Sequence, residues 1–265
     1  MTRLRREISL PTALTIAGSD SGGGAGLQAD LKTFAALKVH GTCVVTCVTA
    51  QNPAAVLALE PVSPRLLQRQ LRAVFAELPP AAVKIGLLPT ANLVRTVARF
   101  FAHHPVPIIL DPVMVATSGR RLIEPTAFPA LQKVLLPIAT LVTPNLSEAE
   151  QLTGSPIRNL EALRCAARTI HSRYGCAALV KGGHLRGSAE AVDFFFDGRT
   201  ELMLSAPFVR GVRTHGTGCT YSAAIAAGLA RGLDLARSVG LAKTFVTRAI
   251  AGSARIGAHS VLTGY

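Results

Sequence analysis

The sequence predicts a three-layer α/β/α domain, with a mainly parallel central sheet and an antiparallel hairpin at one edge. Three observations point there. Short apolar runs alternate with helical patterns from end to end, as in a parallel sheet covered by helices. Residues 42–49 are rich in β-branched side chains and apolar at successive positions, which reads as a parallel strand buried on both faces. Asp197-Gly198 stands between two strand-like runs, 191–196 and 201–204, a hairpin signal late in the chain.

In chain order, residues 13–17 read as an apolar strand that runs into a glycine loop, and 27–37 as the helix after it. Strand 42–49, helix 64–78, strand 82–85, helix 92–102 and strand 107–110 continue the alternation. Leu141 and Val142 end a further strand. A long helix over 160–174 leads into strand 177–180, then the hairpin, and helices from about 219 to 231 and 235 to 253 close the chain. No internal repeat, low-complexity tract or linker divides it, so residues 1–265 are expected to form one domain, with 1–11 as a flexible N-terminal extension. A chain of 265 residues can bury a proper core.

Composition narrows the class. Charged residues make up 16% and hydrophobic ones 49%, which excludes a disordered chain. Tryptophan is absent, so the core must be built from Ala, Val, Leu and Ile. The net charge of +13 suits an anionic partner. The basic residues are scattered from Arg3 to Arg255, without interleaved aromatics to stack bases, so nucleic acid is not expected. Arg65, Arg69 and Arg72 line one helix face, read as a solvated one. The five cysteines form no C-x-x-C pair; neither a disulfide framework nor a zinc site is expected, and a reducing cytoplasm fits. The first ten residues lack the apolar stretch of a secretory signal. The longest apolar run, near 134–142, is broken by Pro137 and too short to span a bilayer.

The most informative segment is Thr214-His215-Gly216-Thr217-Gly218-Cys219-Thr220. It opens a small-residue helix, whose first backbone N–H groups have no carbonyl partner and attract an anion. A thiol there is expected to lose its proton more readily than in water. The chemistry suggested is phosphoryl transfer beside Cys219, for which polyanionic ATP suits the net charge. The plainer alternative is a tight turn with cysteine as apolar filler.

Other loops follow strands, where ligands bind in such sheets. Gly18-Ser19-Asp20-Ser21-Gly22-Gly23-Gly24-Ala25-Gly26 is not a Walker A loop, because no Lys-Ser/Thr follows. Residues 24–29 fit G-x-G-x-x-A, but Thr49-Ala50-Gln51-Asn52 stands where a dinucleotide site needs an acid. Close backbone approach to a small ligand, near Asp20 and Asp30, is the better reading; a structural turn is the alternative. The Gln51 amide, with a donor beside an acceptor, matches an aminopyrimidine edge or else satisfies nearby backbone. Asp111-Pro112-Val113-Met114 places an acid where it can order magnesium-bound water or a lysine, or cap a turn. Thr143-Pro144-Asn145-Leu146-Ser147-Glu148 reads first as a capping box, a role compatible with holding a metal through water. Lys181-Gly182-Gly183-His184 suits a phosphate clamp, or a solvated strand end.

These six motifs, in order over residues 13–250, resemble the hydroxymethylpyrimidine/phosphomethylpyrimidine kinases of thiamine biosynthesis, within the ribokinase-like superfamily. The resemblance implies that the first glycine loop, with Gly18, Asp20 and Asp30, and Gln51 bind the pyrimidine. It implies ATP contacts from Lys181, Thr214 and Asp111, an anion hole at Gly216, Thr217 and Gly218, and Cys219 in place of the aspartate base of sugar-kinase relatives. Asn145 and Glu148 would organise Mg2+, and a homodimer is implied. The chain departs from the pattern at Thr117, where many relatives carry lysine, and at Arg120, where an acid is common; Arg120 then becomes a candidate ATP contact. Gln51 stands where some relatives have glutamate. A pyridoxal or pyridoxine kinase, and a pyrimidine sensor without turnover, are the competing expectations.

Overall fold

A computed structural model describes residues 9–262 except 117, 184, 186–188, 210, 211 and 213. The readings at Thr117, at His184 and over most of the N-terminal extension, together with the Thr214 side chain, lie outside the described residues.

The strands of the main sheet are β1 (Thr12–Asp20), β2 (His40–Gln51), β3 (Val56–Pro61), β4 (Ala82–Ile85), β5 (Ile108–Leu110), β6 (Leu141–Val142), β7 (Ala177–Lys181), β8 (Glu190–Phe196) and β9 (Glu201–Pro207). They lie in the order β3-β2-β1-β4-β5-β6-β7-β8-β9. From β2 to β7 neighbouring strands are parallel; β3, β8 and β9 add antiparallel pairings at the two edges. The helices are α1 (Gly26–Ala36), α2 (Pro64–Glu77), α3 (Ala91–Phe101), α4 (Ala127–Ala130), α5 (Leu146–Thr153), α6 (Leu160–Tyr174), α7 (Thr217–Ala230) and α8 (Leu235–Ala251).

Two apolar layers hold the helices to the sheet. On one face, Leu67 and Leu71 of α2, Leu93 and Val97 of α3 and Leu163 and Ile170 of α6 pack on Leu14, Ile16, Val83 and Ile85. On the other, Phe34 of α1, Ala223, Ile225 and Ala227 of α7 and Val239 and Ala242 of α8 pack on Ala13, Ala82 and Ile109. Strand alternation explains the division, since successive side chains point to opposite faces. The small residues of α7 let it lie close to the sheet, and it is nearly all buried. Local caps fix where helices begin. Ser63 accepts from Leu66 N with Pro64 at the first turn of α2, and Asn159 accepts from Ala162 N at the start of α6.

The hairpin between β8 and β9 is formed as expected. Asp197 Oδ1 accepts from Arg199 N at 2.9 Å and Thr200 N at 2.6 Å, which closes the turn. Three expectations are corrected. Strand β2 is not buried on both faces: Cys43 is exposed and Val48 is 56% exposed, because an apolar, β-branched composition does not by itself fix burial one strand from an edge. That edge is β3, for which the sequence predicts no strand. After α8, which ends at Ala251, the chain adds β11 (Ala254–Ile256) and β12 (His259–Val261), which form a three-stranded sheet with β10 (Thr214–His215). These strands are too short to show a two-residue period.

The strand order reverses between β1 and β4. Helices α1 and α2 leave toward opposite faces there, which opens a crevice at the carboxyl ends of the strands.

Candidate active site

The first glycine loop turns on Asp20, the last residue of β1. Its carboxylate accepts from Gly22 N at 2.8 Å, Gly24 N at 3.1 Å and Ala25 N at 2.8 Å. Burial pushes this carboxyl up, but hydrogen bonds from His215, Gly22 and Ala25 outweigh it and hold the group below its ordinary value. Asp20 is 3% exposed, so its first task is to shape the loop. The loop folds back on its own strand: a Cβ at Gly26 would lie 2.2 Å from Gly18 O. Gln51, at the end of β2, is tied to the same loop through Ser21, whose hydroxyl accepts from Gln51 N at 2.8 Å and donates to Gln51 O at 2.7 Å. His215 joins the two, with Nε2 3.0 Å from Gln51 Nε2 and 3.2 Å from Asp20 Oδ2. The His215 tautomer therefore decides whether Gln51 turns its amide oxygen or nitrogen toward the ring.

Helix α7 begins against that loop. Gly216, its N-cap, has φ of 85°, and a Cβ there would lie 1.8 Å from Gly24 O. Only glycine fits both the left-handed backbone and the close approach. Gly216 supplies no side-chain cap and the first turn holds no acid, so the tip keeps its affinity for an anion. On its other side the same tip meets the far half of the sheet. A Cβ at Gly218 would lie 3.1 Å from Lys181 Nζ and 3.7 Å from Asp111 Oδ2.

Lys181, at the end of β7, donates to Asp111 Oδ1 at 3.0 Å, and Thr143 Oγ1 donates to the same oxygen at 3.3 Å. Buried Asp193 accepts from Gly182 N at 3.0 Å and pairs with Lys243 Nζ at 2.8 Å, which fixes the backbone just after Lys181. The capping box at α5 is formed. Glu148 N donates to Asn145 Oδ1 at 3.0 Å and Asn145 N to Glu148 Oε2 at 2.8 Å. Burial pushes Glu148 up to about 7; Lys181 opposes the shift and Asp111 adds to it. A carboxyl so placed gains from a cation, and Mg2+ characteristically uses one or two carboxylates, several waters and substrate phosphates. No cluster of three or more His, Cys, Asp or Glu ligands occurs among the described residues. Asn145 and Glu148 are residues that could hold Mg2+ here.

Two site readings change. Cys219 is half-buried, and burial pushes its thiol up to about 11. Lys84 and Gly26 N–H pull it down, while Asp30 and Asp111 push it further up. The expected readily ionised thiol is not found, because desolvation and two carboxylates outweigh the helix tip. Asp30 is not at the surface of the crevice. It is fully buried in an ion pair with Lys84 Nζ at 2.8 Å, and Thr15 Oγ1 donates to it at 2.6 Å. Arg120 donates through Nη1 to the carbonyls of Val56 and Leu57 on the β3 edge, which anchors one nitrogen of the guanidinium there. Lys84 is the buried residue that sequence reading missed. The signal was a lysine inside the apolar strand Ala82–Ile85, a position that charge rarely occupies unpaired.

The profile of the family described as phosphomethylpyrimidine kinase matches residues 20–263. The hydroxymethylpyrimidine/phosphomethylpyrimidine kinase of Rhizobium meliloti is 49% identical over 245 residues, 92% of each chain. The enzyme of the same name from Synechococcus elongatus is 46% identical over 250 residues, 94% of this chain and 95% of its own. Among solved structures, an ADP complex of Bacillus subtilis pyridoxal kinase superposes with a TM-score of 0.89 at 35% identity, covering 97% of this chain and 98% of its own.

Proposed function

This chain belongs to the phosphomethylpyrimidine kinase family, and we propose that its α7 tip carries out two successive phosphoryl transfers from ATP in thiamine biosynthesis. The first goes to the hydroxymethyl oxygen of 4-amino-5-hydroxymethyl-2-methylpyrimidine, the second to the monophosphate so formed. One observation carries the reading: the same helix tip touches the glycine loop through Gly216 and the Lys181–Asp111 pair through Gly218. An acceptor held by the opening half and a phosphate held by the closing half then meet over Gly216, Thr217 and Gly218.

The residues divide the work. Gly18, Asp20 and Gln51 shape the acceptor side, where Gln51 and His215 offer adjacent polar atoms to an aminopyrimidine edge. Asp30 belongs to this side as buried support and makes no surface contact. Lys181, Asp111 and the Thr214 backbone form the nucleotide side. Mg2+, held through water by Asn145 and Glu148, would supply charge neutralisation between the phosphates when bound. Phosphoryl transfer passes through a loose transition state, so positioning and charge stabilisation supply most of the rate. The helix tip answers that need. Cys219, in its thiolate form, takes the hydroxyl proton late in the first transfer; in the second, the acceptor is already an anion and needs no base.

No helix among the described residues is long and apolar enough to cross a membrane, and a cytoplasmic homodimer completes the reading. A pyridoxal kinase is favoured by one observation, the ADP-bound structural neighbour of that name. Coupled assays of ATP consumption with the pyrimidine, its monophosphate and pyridoxal, each with and without Mg2+, test the choice. Turnover on both pyrimidines is expected, with higher kcat/KM than on pyridoxal. The reverse order reassigns the substrate, and no Mg2+-dependent turnover with any acceptor leaves a sensor.

A further inference from the structure

Beneath the α7 tip lies an ion pair that the proposed transfer does not yet use. Lys84 and Asp30 are both 0% exposed at their side chains. Asp30 Oδ2 takes both Lys84 Nζ and Thr15 Oγ1, while Asp30 Oδ1 is buried with no hydrogen-bond partner among the described residues. Such a pair is costly: desolvation of two charges is rarely repaid in stability, and apolar residues of the same volume commonly serve better. A carboxylate oxygen left unpartnered makes the arrangement costlier still.

Its placement is that of a functional group. Strands β1 and β4 flank the point where the strand order reverses. Lys84 shares a face of β4 with Ala82, which packs in the α7 layer. Its Nζ reaches the carboxyl end of the sheet, where a Cβ at Gly86 would lie 2.8 Å from it and Ala17 Cβ is also near that point. Asp30 lies one turn along α1 from Gly26, on the same helix face, and the Gly26 N–H helps to lower the Cys219 thiol. Charged groups that act on Cys219 come from four elements: Lys84 from β4, Asp30 from α1, Asp111 after β5 and Lys181 from β7. His215 and Asp20 lie at the neighbouring loop. Burial works against the charge on Lys84, but Asp30, Cys219 and Asp111 outweigh it, so the lysine stays a cation.

We propose that Lys84, locked by Asp30 and Thr15, is a positioning residue of phosphoryl transfer: a buried cation in the crevice floor that offsets the negative charge that the transferring phosphate brings to the α7 tip beside Cys219. Lys181 serves the nucleotide from the side, whereas Lys84 serves the reacting centre from below. This inference rests on the reading of the α7 tip as the transfer site.

The test is Lys84→Met in the full chain, read by peptide-resolved iodoacetamide alkylation at pH 8 without substrate. The Cys219 rate is expected to fall about tenfold, the equivalent of one pKa unit, while the exposed Cys43 and Cys165 react as before. With pyrimidine and ATP, kcat is expected to fall about tenfold or more, and the pyrimidine KM to change less than about threefold. Unchanged Cys219 alkylation and kcat in folded protein would overturn the proposal. Should Lys84→Met leave Asp30 uncompensated and fail to fold, Asp30→Asn is read instead: it removes the carboxylate that pushes the Cys219 thiol up, so Cys219 alkylation is expected to rise, and an unchanged rate overturns the proposal. If neither variant folds, the pair serves stability alone and the proposal is wrong. A wild-type enzyme that rejects the pyrimidine would sink the substrate assignment, yet leave the alkylation result standing.

Discussion

Gly216 and Gly24 meet backbone to backbone, so close that a single methyl group on Gly216 would fall 1.8 Å from the carbonyl oxygen of Gly24. Residues nearly two hundred positions apart thus set the distance between the acceptor loop and the anion-binding helix tip. The left-handed φ of 85° at Gly216 aims the first turn of α7 into the crevice, and the contact fixes how far it reaches.

Gly216→Ala is therefore expected to lose activity beyond any loss of stability. The left-handed backbone costs an ordinary residue about 1–2 kcal/mol, and relief of the clash moves the anion-binding N–H groups. A fall of about 10²- to 10³-fold in kcat is expected. Gly232→Ala is the control: it also has positive φ, at 82°, but nothing lies within 4 Å of its added Cβ. Circular dichroism and steady-state rates on both variants separate strain from misplacement.

Cys219→Ala should discriminate between the two transfers. With its thiol pushed up to about 11, Cys219 is mostly protonated at neutral pH, and only its minor thiolate fraction can act as a base. Its effect belongs to late removal of the hydroxyl proton by the small fraction present as thiolate, a step the phosphate acceptor does not need. A loss of about 10²-fold is expected for the hydroxymethyl substrate and a much smaller one for the monophosphate. Equal losses would remove the base role.

The pH dependence of stability should report on Glu148. Its folded value, raised by burial to about 7 from 4.5, means that the native state holds this proton more tightly than the unfolded chain. Its contribution is then fully present below about 4.5 and is lost as pH rises to about 7. Denaturant titrations without nucleotide should show wild-type stability falling across that window relative to Glu148→Gln, by on the order of 1 kcal/mol or more. Gln keeps the capping box, so a parallel pair of curves would contradict the shift.

Lys181→Met removes the cation that Asp111 faces at 3.0 Å. The KM for ATP is expected to rise about tenfold, the equivalent of roughly 1.4 kcal/mol, with the pyrimidine KM little changed. An effect confined to the pyrimidine would exchange the two sides of the site.

Much of this was legible in the chain itself. The strand 82–85 and the helix 160–174 coincide with Ala82–Ile85 and Leu160–Tyr174, because an apolar run and a 3.6-residue period are local properties. The Asn145–Glu148 capping box is also local, since its two partners are three residues apart. Strand β3 was not legible: Val56–Pro61 is a short edge strand in which Leu57 is 71% exposed, and its order comes from pairing with β2.

By itself the sequence determined the α/β/α alternation, the glycine loop, the helix-tip motif and the strand ends that carry Gln51, Asp111 and Lys181, because each is written in neighbouring residues. Only the tertiary structure decided that Asp30 turns inward to Lys84, that Arg120 is engaged at the β3 edge, and that Cys219 holds its proton. Those outcomes depend on which charges and how much water surround a group. Segments distant along the chain supply both, once the sheet has brought them together.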